Sequence, residues 1–210
     1  MTRTGLPSLV LASGSSGRLR LLRGAGFDPA VVVSGVDETV EGDVPTAELV
    51  GLLAERKASA VAPQCPDSLV LGCDSMLDFE GHALGKPASA EHAARMLLRL
   101  SGGTGTLFTG HHLIDTAHGR QVHEVAGTTI RFGTPTPAEV SAYVATGEPM
   151  TMAGGFSIDG LAAPFVNGID GDPGNVIGLS LPVLRRLLAK LGVVITDLWH
   201  THAPGTPVSA

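Results

Sequence analysis

Leu69-Val-Leu-Gly-Cys-Asp-Ser-Met-Leu77, continuing through Asp78-Phe-Glu-Gly-His-Ala-Leu-Gly-Lys-Pro87, is the stretch around which the other segments fall into place. A short apolar run bounded by turn residues predicts a buried strand. This one carries a carboxylate, Asp74, at or near its end. Glu80-Gly81 then supplies a hairpin turn, and the returning strand runs into Gly85-Lys86-Pro87. A hairpin of that length brings a buried acid and a lysine back to one neighbourhood. Acid beside ammonium suits metal-assisted chemistry on phosphates: the carboxylate holds a divalent ion or activates water, and the cation meets the phosphate charge. A strand with one solvated aspartate and a surface lysine shows the same residues, so the surroundings must discriminate.

Upstream, Thr46-Ala-Glu48 opens a helix with Leu49, Val50, Leu53, Ala54, Ala58 and Val61 on one stripe and Lys57 beside it. Ala30-Val-Val-Val-Ser34 predicts a strand that ends in Gly35-Val-Asp-Glu38, a carboxylate pair. Leu9-Val-Leu-Ala12 predicts another, running into Ser13-Gly-Ser-Ser-Gly-Arg18. The next helix has Leu19, Leu22 and Ala25 as apolar positions, Ser15 or Ser16 as cap and Gly26 as stop. Strand, small-residue loop and helix start make a phosphate site from free N–H groups and the positive helix end, to which Arg18 adds a full charge. The loop is not a Walker loop, a G-x-G-x-x-G turn or a G-x-S-x-G elbow. An ordinary capped turn uses the same residues.

Downstream, Ser89-Ala-Glu91 starts a helix with Ala93, Met96, Leu97 and Leu100 inward. Thr106–Asp115 and Gln121–Phe132 predict two long strands, on which His111 and His112 point to opposite faces and cannot share a metal. Thr136-Pro-Ala-Glu139 is a capping box with Pro at the first helical position. Two glycine-dense segments follow, Ala153–Gly160 and Ile169–Ser180, where a backbone can approach a ligand closely. Ser180 caps the last helix, with Leu184, Leu187, Leu188 and Leu191 apolar; Val193–Thr196 predicts a short strand, and a frayed tail begins at His200. The order is that of an α/β or α+β protein with a mixed sheet.

The 210 residues suffice for a sizeable core, and 43% of them are hydrophobic. A net charge of −6 provides no basic face for a nucleic acid duplex and no polybasic membrane patch, so a polyanionic substrate needs locally placed cations. Cys65 and Cys73 make neither a disulfide framework nor a zinc spacing. Met1–Pro7 lacks the apolar core of a signal peptide and no apolar run reaches membrane-spanning length, which predicts a soluble, cytoplasmic protein with no membrane partner.

Together these segments resemble the Maf family of nucleoside triphosphate pyrophosphatases. The resemblance is carried by Leu11-Ala-Ser13-Gly-Ser15 with Arg18, Val36-Asp-Glu38, Lys57-Ala58, Gly72-Cys-Asp74-Ser75 and Gly85-Lys86-Pro87. Leu100-Ser-Gly102, Thr109-Gly110, Tyr143-Val144, Ala153-Gly154 and Asn175-Val-Ile-Gly-Leu179 extend it in order from about Leu9 to Gly192. It implies an elongated, two-lobed α/β molecule around a bent mixed sheet, similar also to the inosine triphosphatase fold, with the active site in the central cleft. One such domain would span residues 1–199, with 200–210 as the tail.

The resemblance further implies hydrolysis of a nucleoside triphosphate to monophosphate and pyrophosphate with Mg²⁺ or Mn²⁺, in nucleotide clearance or in cell-division control. It makes Asp74 the catalytic acid or base and Lys86 its catalytic partner. Ser13, Ser15, Arg18, Lys57 and Lys86 become phosphate or nucleotide ligands, and Glu38 and Asp74 metal ligands. Oligomeric state stays open, a homodimer included. Three positions depart from the family pattern: Gly17 stands where an arginine is usual, Ser75 where threonine is, and Asp159 where Gln or Glu is. In the family these positions sort substrates by base, and so roomy a trio predicts a permissive pocket with Asp159 as a free acceptor. Two other classes fit parts of the sequence, a nucleotide-binding regulator without turnover and a serine hydrolase using Ser13 or Ser16.

Overall fold

The computed structural model describes residues 7–200. A seven-stranded mixed sheet runs in the order β2-β1-β3-β5-β6-β7, with β4 paired to β3. Its strands are β1 (Ser8–Leu11), β2 (Ala30–Val31), β3 (Ser68–Phe79), β4 (His82–Leu84), β5 (Thr104–Asp115), β6 (Arg120–Phe132) and β7 (Val166–Asp170). The helices are α1 (Ser16–Gly24), α2 (Thr46–Val61), α3 (Ala90–Leu100), α4 (Pro137–Ala145), α5 (Pro173–Ile177) and α6 (Leu181–Lys190). β1 pairs in parallel with β2 and β3, whereas β3, β5, β6 and β7 form an antiparallel series.

β3 is the spine. One edge pairs with β5 for most of its length; the other is shared by β1, over Ser68–Leu71, and β4, over Leu77–Phe79. Gly72 to Met76 therefore have no strand partner on that second edge. The 13–15 loop leaves β1 at this opening, where the Ala12 N–H donates to the Leu71 carbonyl at 2.8 Å.

Alternation along β3 allots its two faces. Leu69, Leu71 and Cys73 join Leu22 of α1 and Leu184, Leu187 and Leu188 of α6 in one apolar cluster. Further along the same face, Leu77 and Phe79 join Met96, Leu97 and Leu100 of α3 and Val140 and Tyr143 of α4 in a second. Each leucine so enclosed contributes roughly 1.5–3 kcal/mol relative to exposure, which makes these clusters the main source of stability. The opposite face takes α2, with Val70, Val61, Val10 and Ala12 in a smaller cluster.

Local signals set most helix ends. Ser15, Ser89, Thr136 and Ser180 each accept an N–H of the first turn, and Thr136 with Glu139 closes a reciprocal capping box. Several sequence expectations are corrected. Asp74 lies in mid-strand, because the β5 ladder carries β3 on to Phe79. The returning strand β4 stops at Leu84, so Lys86 lies outside the hairpin. β2 has only two residues and both are exposed, as suits a sheet edge. Lys57 is buried within the α2 stripe, and Leu49 is only half-buried. Val193–Thr196 makes no strand: a 3₁₀ turn, Ile195–Leu198, takes its place. The glycine-dense segment Ile169–Ser180, for which no element is predicted, contains β7's end and α5. Of the expected tail, His200 donates its backbone N–H to Gly26, and residues 201–210 lie outside the described residues.

Helix α2 lies at backbone contact on the sheet. A Cβ at Gly72 would come within 2.2 Å of the Ala54 carbonyl oxygen, and one at Gly110 within 2.2 Å of that of Val50. Overpacking typically costs 1–3 kcal/mol, and here the obstacle is backbone. We expect Gly72→Ala and Gly110→Ala each to lower the unfolding free energy by about 3 kcal/mol or more in urea titration. Gly24→Ala, with nothing within 4 Å, should instead raise it by about 0.5 kcal/mol.

Candidate active site

Asp74 points to the α2 face and is 6% exposed. Because α2 sits so close, Lys57 reaches it: Nζ donates to Asp74 Oδ1 at 2.6 Å and lies 2.6 Å from Glu38 Oε1. Lys57 itself is 8% exposed, whereas Glu38 is largely exposed on the loop after β2. Asp74 Oδ2 is buried and accepts no hydrogen bond. Burial raises the Asp74 pKa above the ordinary carboxylate value; Lys57 and then Arg18 pull against that shift, and Glu38 adds to it. A buried ion pair is weak grounds for stability, since desolvation offsets the attraction. Its value is chemical: a carboxylate made more basic by burial, with cations beside it.

Arg18 leaves the first turn of α1 and is buried, at 8% exposure. Nε donates to the Gly178 carbonyl at 2.8 Å, Nη1 to Ser13 Oγ at 2.9 Å and Nη2 to Ser75 Oγ at 3.1 Å. Three elements thus hold one guanidinium, with further N–H groups left over. Ser15 caps α1 by accepting the Arg18 N–H, and its own N–H donates to Ser13 Oγ. Asp74 and Ser75 are successive strand residues and point to opposite faces. The open edge of β3 lets both faces reach one place, and the Asp74 carboxyl feels Arg18 as well as Lys57.

The ammonium expected near Asp74 is that of Lys86; the one that pairs with it is Lys57. Lys86 is exposed, and its side chain has no hydrogen bond or ion pair among the described residues. The permissive trio is also reshaped. Space beside Gly17 is tight: a Cβ there would lie 3.2 Å from the Ile177 carbonyl oxygen and 3.3 Å from its Cγ2. Asp159 is not a free acceptor, because Arg20 pairs with one carboxylate oxygen and Ser157 Oγ donates to the other at 2.5 Å. Arg20 went unnoticed in the sequence; its spacing of one helical turn from Gly17 was the available signal.

Thr109, His111 and Asn175 were likewise missed as site neighbours. All are buried on the face of Ser75, between the two large apolar clusters. His111 Nε2 accepts the Ser180 N–H at 2.9 Å, so the ring is neutral with its proton on Nδ1. Burial, and next the nearby Arg18, push its pKa down to about 4.

A serine nucleophile has no base here: no histidine bonds Ser13 or Ser16 among the described residues. Burial pushes the Cys73 thiol up to about 11, which removes it as a nucleophile near neutrality. No group of three or more His, Cys, Asp or Glu placed to hold a metal occurs among the described residues. Magnesium, however, needs only one or two carboxylates when substrate phosphates complete its shell. Glu38 and Asp74, with the unbonded Oδ2, fit an ion that arrives with a polyphosphate.

The family model for Maf-like proteins matches residues 8–191. The chain is 58% identical over 193 residues to a protein of Streptomyces coelicolor named nucleoside triphosphate pyrophosphatase, covering 91% of this chain and 94% of that one. A protein of the same name from Streptomyces avermitilis is 56% identical with the same coverage. One from Salinispora tropica is 49% identical over 208 residues, covering 94% and 92%.

The neutral His111 makes stability depend on pH. Its folded pKa, about 4, lies below its ordinary 6.5, so the unfolded chain binds the extra proton first. The contribution is complete above about pH 6.5 and is lost as pH falls toward 4, by up to roughly 1.4 kcal/mol per unit. We expect the stability advantage of wild type over His111→Gln to shrink by at least about 1 kcal/mol between pH 7 and 4.5, measured by urea unfolding. A constant difference would contradict the neutral, buried ring.

Proposed function

Because the chain belongs to the Maf-like protein family, we propose that it hydrolyses nucleoside triphosphates to monophosphate and pyrophosphate, assisted by Mg²⁺ or Mn²⁺. The observation that carries this reading is the buried Asp74, with one oxygen on Lys57 and the other unbonded, in reach of Arg18's field. No helix among the described residues is long and apolar enough to cross a membrane, and a cytoplasmic nucleotide pool suits the proposed substrate. The split of one face into two apolar clusters with polar residues between them supports a two-lobed molecule with its cleft at that division.

In this mechanism Asp74 accepts a proton from the attacking water. Burial makes its carboxylate a better base, and Lys57 keeps it ionised until the proton arrives. Arg18, already oriented, donates to oxygens of the phosphate chain as negative charge builds on the leaving pyrophosphate. Lys57 can pass from the carboxylates to phosphate oxygens, and the exposed Lys86, two residues past β4, adds further charge. Ser13 and Ser15 shape the loop at the start of α1, whose free N–H groups favour an anion. Glu38 and Asp74 would hold the divalent ion, which when bound supplies charge neutralisation and polarises the phosphate oxygens.

Base choice falls in this reading to the region of Gly17, Ser75 and Asp159. Asp159 acts there as half of a pair with Arg20, so a base meets the spare N–H groups of the guanidinium and the lone pairs that Arg20 and Ser157 leave on the carboxylate. A pocket with both kinds of group accepts several bases more readily than one with an acceptor alone.

The deciding experiment incubates the protein with a panel of triphosphates and Mg²⁺ or Mn²⁺ and measures pyrophosphate. Release of orthophosphate alone, or nucleotide binding without turnover, would overturn the reading; the second result is what a nucleotide-binding regulator gives. Asp74→Asn should lower kcat by on the order of 10²–10⁴ with nucleotide binding kept, as expected for a lost general base. Turnover within about twofold of wild type would remove Asp74 from the role.

Arg18→Ala and Lys86→Ala should each reduce kcat/KM at least about tenfold, since a charge-assisted hydrogen bond contributes roughly 1.5–3 kcal/mol. Wild-type kinetics in both would make them bystanders.

A further inference from the structure

The hydroxyls behind Arg18 form a chain whose direction is set by its ends. Asn175 is completely buried, and its backbone carbonyl accepts from Thr109 Oγ1 at 3.0 Å. A carbonyl only accepts, so the single hydroxyl hydrogen of Thr109 is committed to it. Thr109 Oγ1 and Ser75 Oγ lie 2.9 Å apart, and Ser75 must therefore be the donor in that contact. Ser75 Oγ in turn accepts from Arg18 Nη2 at 3.1 Å, as it must, because a guanidinium only donates. Arg18, Ser75, Thr109 and Asn175 thus donate each to the next with no hydroxyl left over.

The far end is anchored to the sheet. Asn175 Nδ2 donates to the Leu107 carbonyl at 3.0 Å and to Thr128 Oγ1 at 3.1 Å, and Thr128 Oγ1 donates onward to the Asp172 carbonyl at 3.0 Å. The turn after α5 grips the guanidinium a second time. Gly178, at φ +122°, turns its carbonyl onto Arg18 Nε, and a Cβ there would sit 3.4 Å from Nε and 3.5 Å from Cγ. The Ser180 N–H on His111 ties down the other end of that turn.

We propose that Thr109 and Asn175 are positioning residues for Arg18: the one-way hydrogen-bond chain and the Gly178 carbonyl fix the guanidinium plane so that its remaining N–H groups face the phosphate site. This rests on the reading that Arg18 meets the phosphates. Neither residue touches substrate; both act through Arg18. Ser75 has its only hydrogen spent on Thr109, so it offers the substrate a lone pair and no donor. A misplacement near 1 Å can cost on the order of a hundredfold in rate, which makes such a support measurable.

The test is a double-mutant cycle on kcat/KM for triphosphate hydrolysis, with Thr109→Val as the near-isosteric loss of the hydroxyl and folding checked by near-ultraviolet circular dichroism. Thr109→Val should lower kcat/KM roughly tenfold in the wild-type background but less than about twofold in Arg18→Ala. Thr109→Ser, which restores the hydroxyl, should return activity to within about twofold of wild type. Equal losses in both backgrounds, or no rescue by serine, would overturn the positioning role. If Thr109→Val does not fold, Ser75→Ala breaks the chain one link closer and must show the same coupling to Arg18, or the proposal fails. Arg18→Ala with wild-type kcat/KM would instead overturn the phosphate reading beneath it, a result separable from additivity of the two changes.

Discussion

Helix α2 lies against β3 and β5 at backbone contact because positions 72 and 110 carry no side chain. Much of the site follows from that approach. A helix held back by side chains would leave Lys57 short of Asp74, and a buried aspartate without its ammonium would be too costly to keep ionised. With the approach made, Lys57 reaches both Asp74 and Glu38, two carboxylates that come from distant parts of the chain. The same ammonium that makes burial of Asp74 tolerable is therefore in place for a phosphate.

The other face of β3 solves a different problem. Two apolar clusters, with Leu71 and Cys73 on one side and Leu77 on the other, could have merged into one core. Ser75, Thr109, His111 and Asn175 come between them instead, nearly all of their polar groups bonded. Asn175 Oδ1 and His111 Nδ1 are the exceptions there. A polar layer of this kind contributes less to stability than leucines of the same volume would. It provides orientation: buried hydrogen bonds have narrow geometry, and apolar contacts do not. The fold places that precision behind a guanidinium.

Much of this was legible along the chain. Apolar runs bounded by turns marked β3, β5 and β6, and the serine and threonine caps marked α1, α3, α4 and α6, since both signals are local. Asp74, Arg18, Lys57 and Glu38 were recognisable because charged residues beside apolar runs or helix starts are conspicuous. The misses share a cause. β7 and α5 are short and sit in glycine-rich sequence, so neither has a period to detect. β4 is too short to carry Lys86 back, and strand length is decided by which neighbour is available to pair. Thr109 and Asn175 stand in stretches that carry the family resemblance, but nothing local shows what they bond until register places Thr109 opposite Ser75.

The sequence by itself determined the class of fold, the positions of most elements and the residue types on which phosphate chemistry can be built. Those are properties of neighbours within a few residues, where propensity and period act. Only the tertiary structure decided the partners. It paired Asp74 with Lys57 rather than Lys86, turned Arg20 onto Asp159, filled the space beside Gly17 with Ile177, and gave the Arg18–Ser75–Thr109–Asn175 chain its direction. Each of these contacts joins residues far apart in sequence or depends on how closely two backbones approach. Close approach is a property of the packed chain, set by what is missing at Gly72 and Gly110 as much as by what is present.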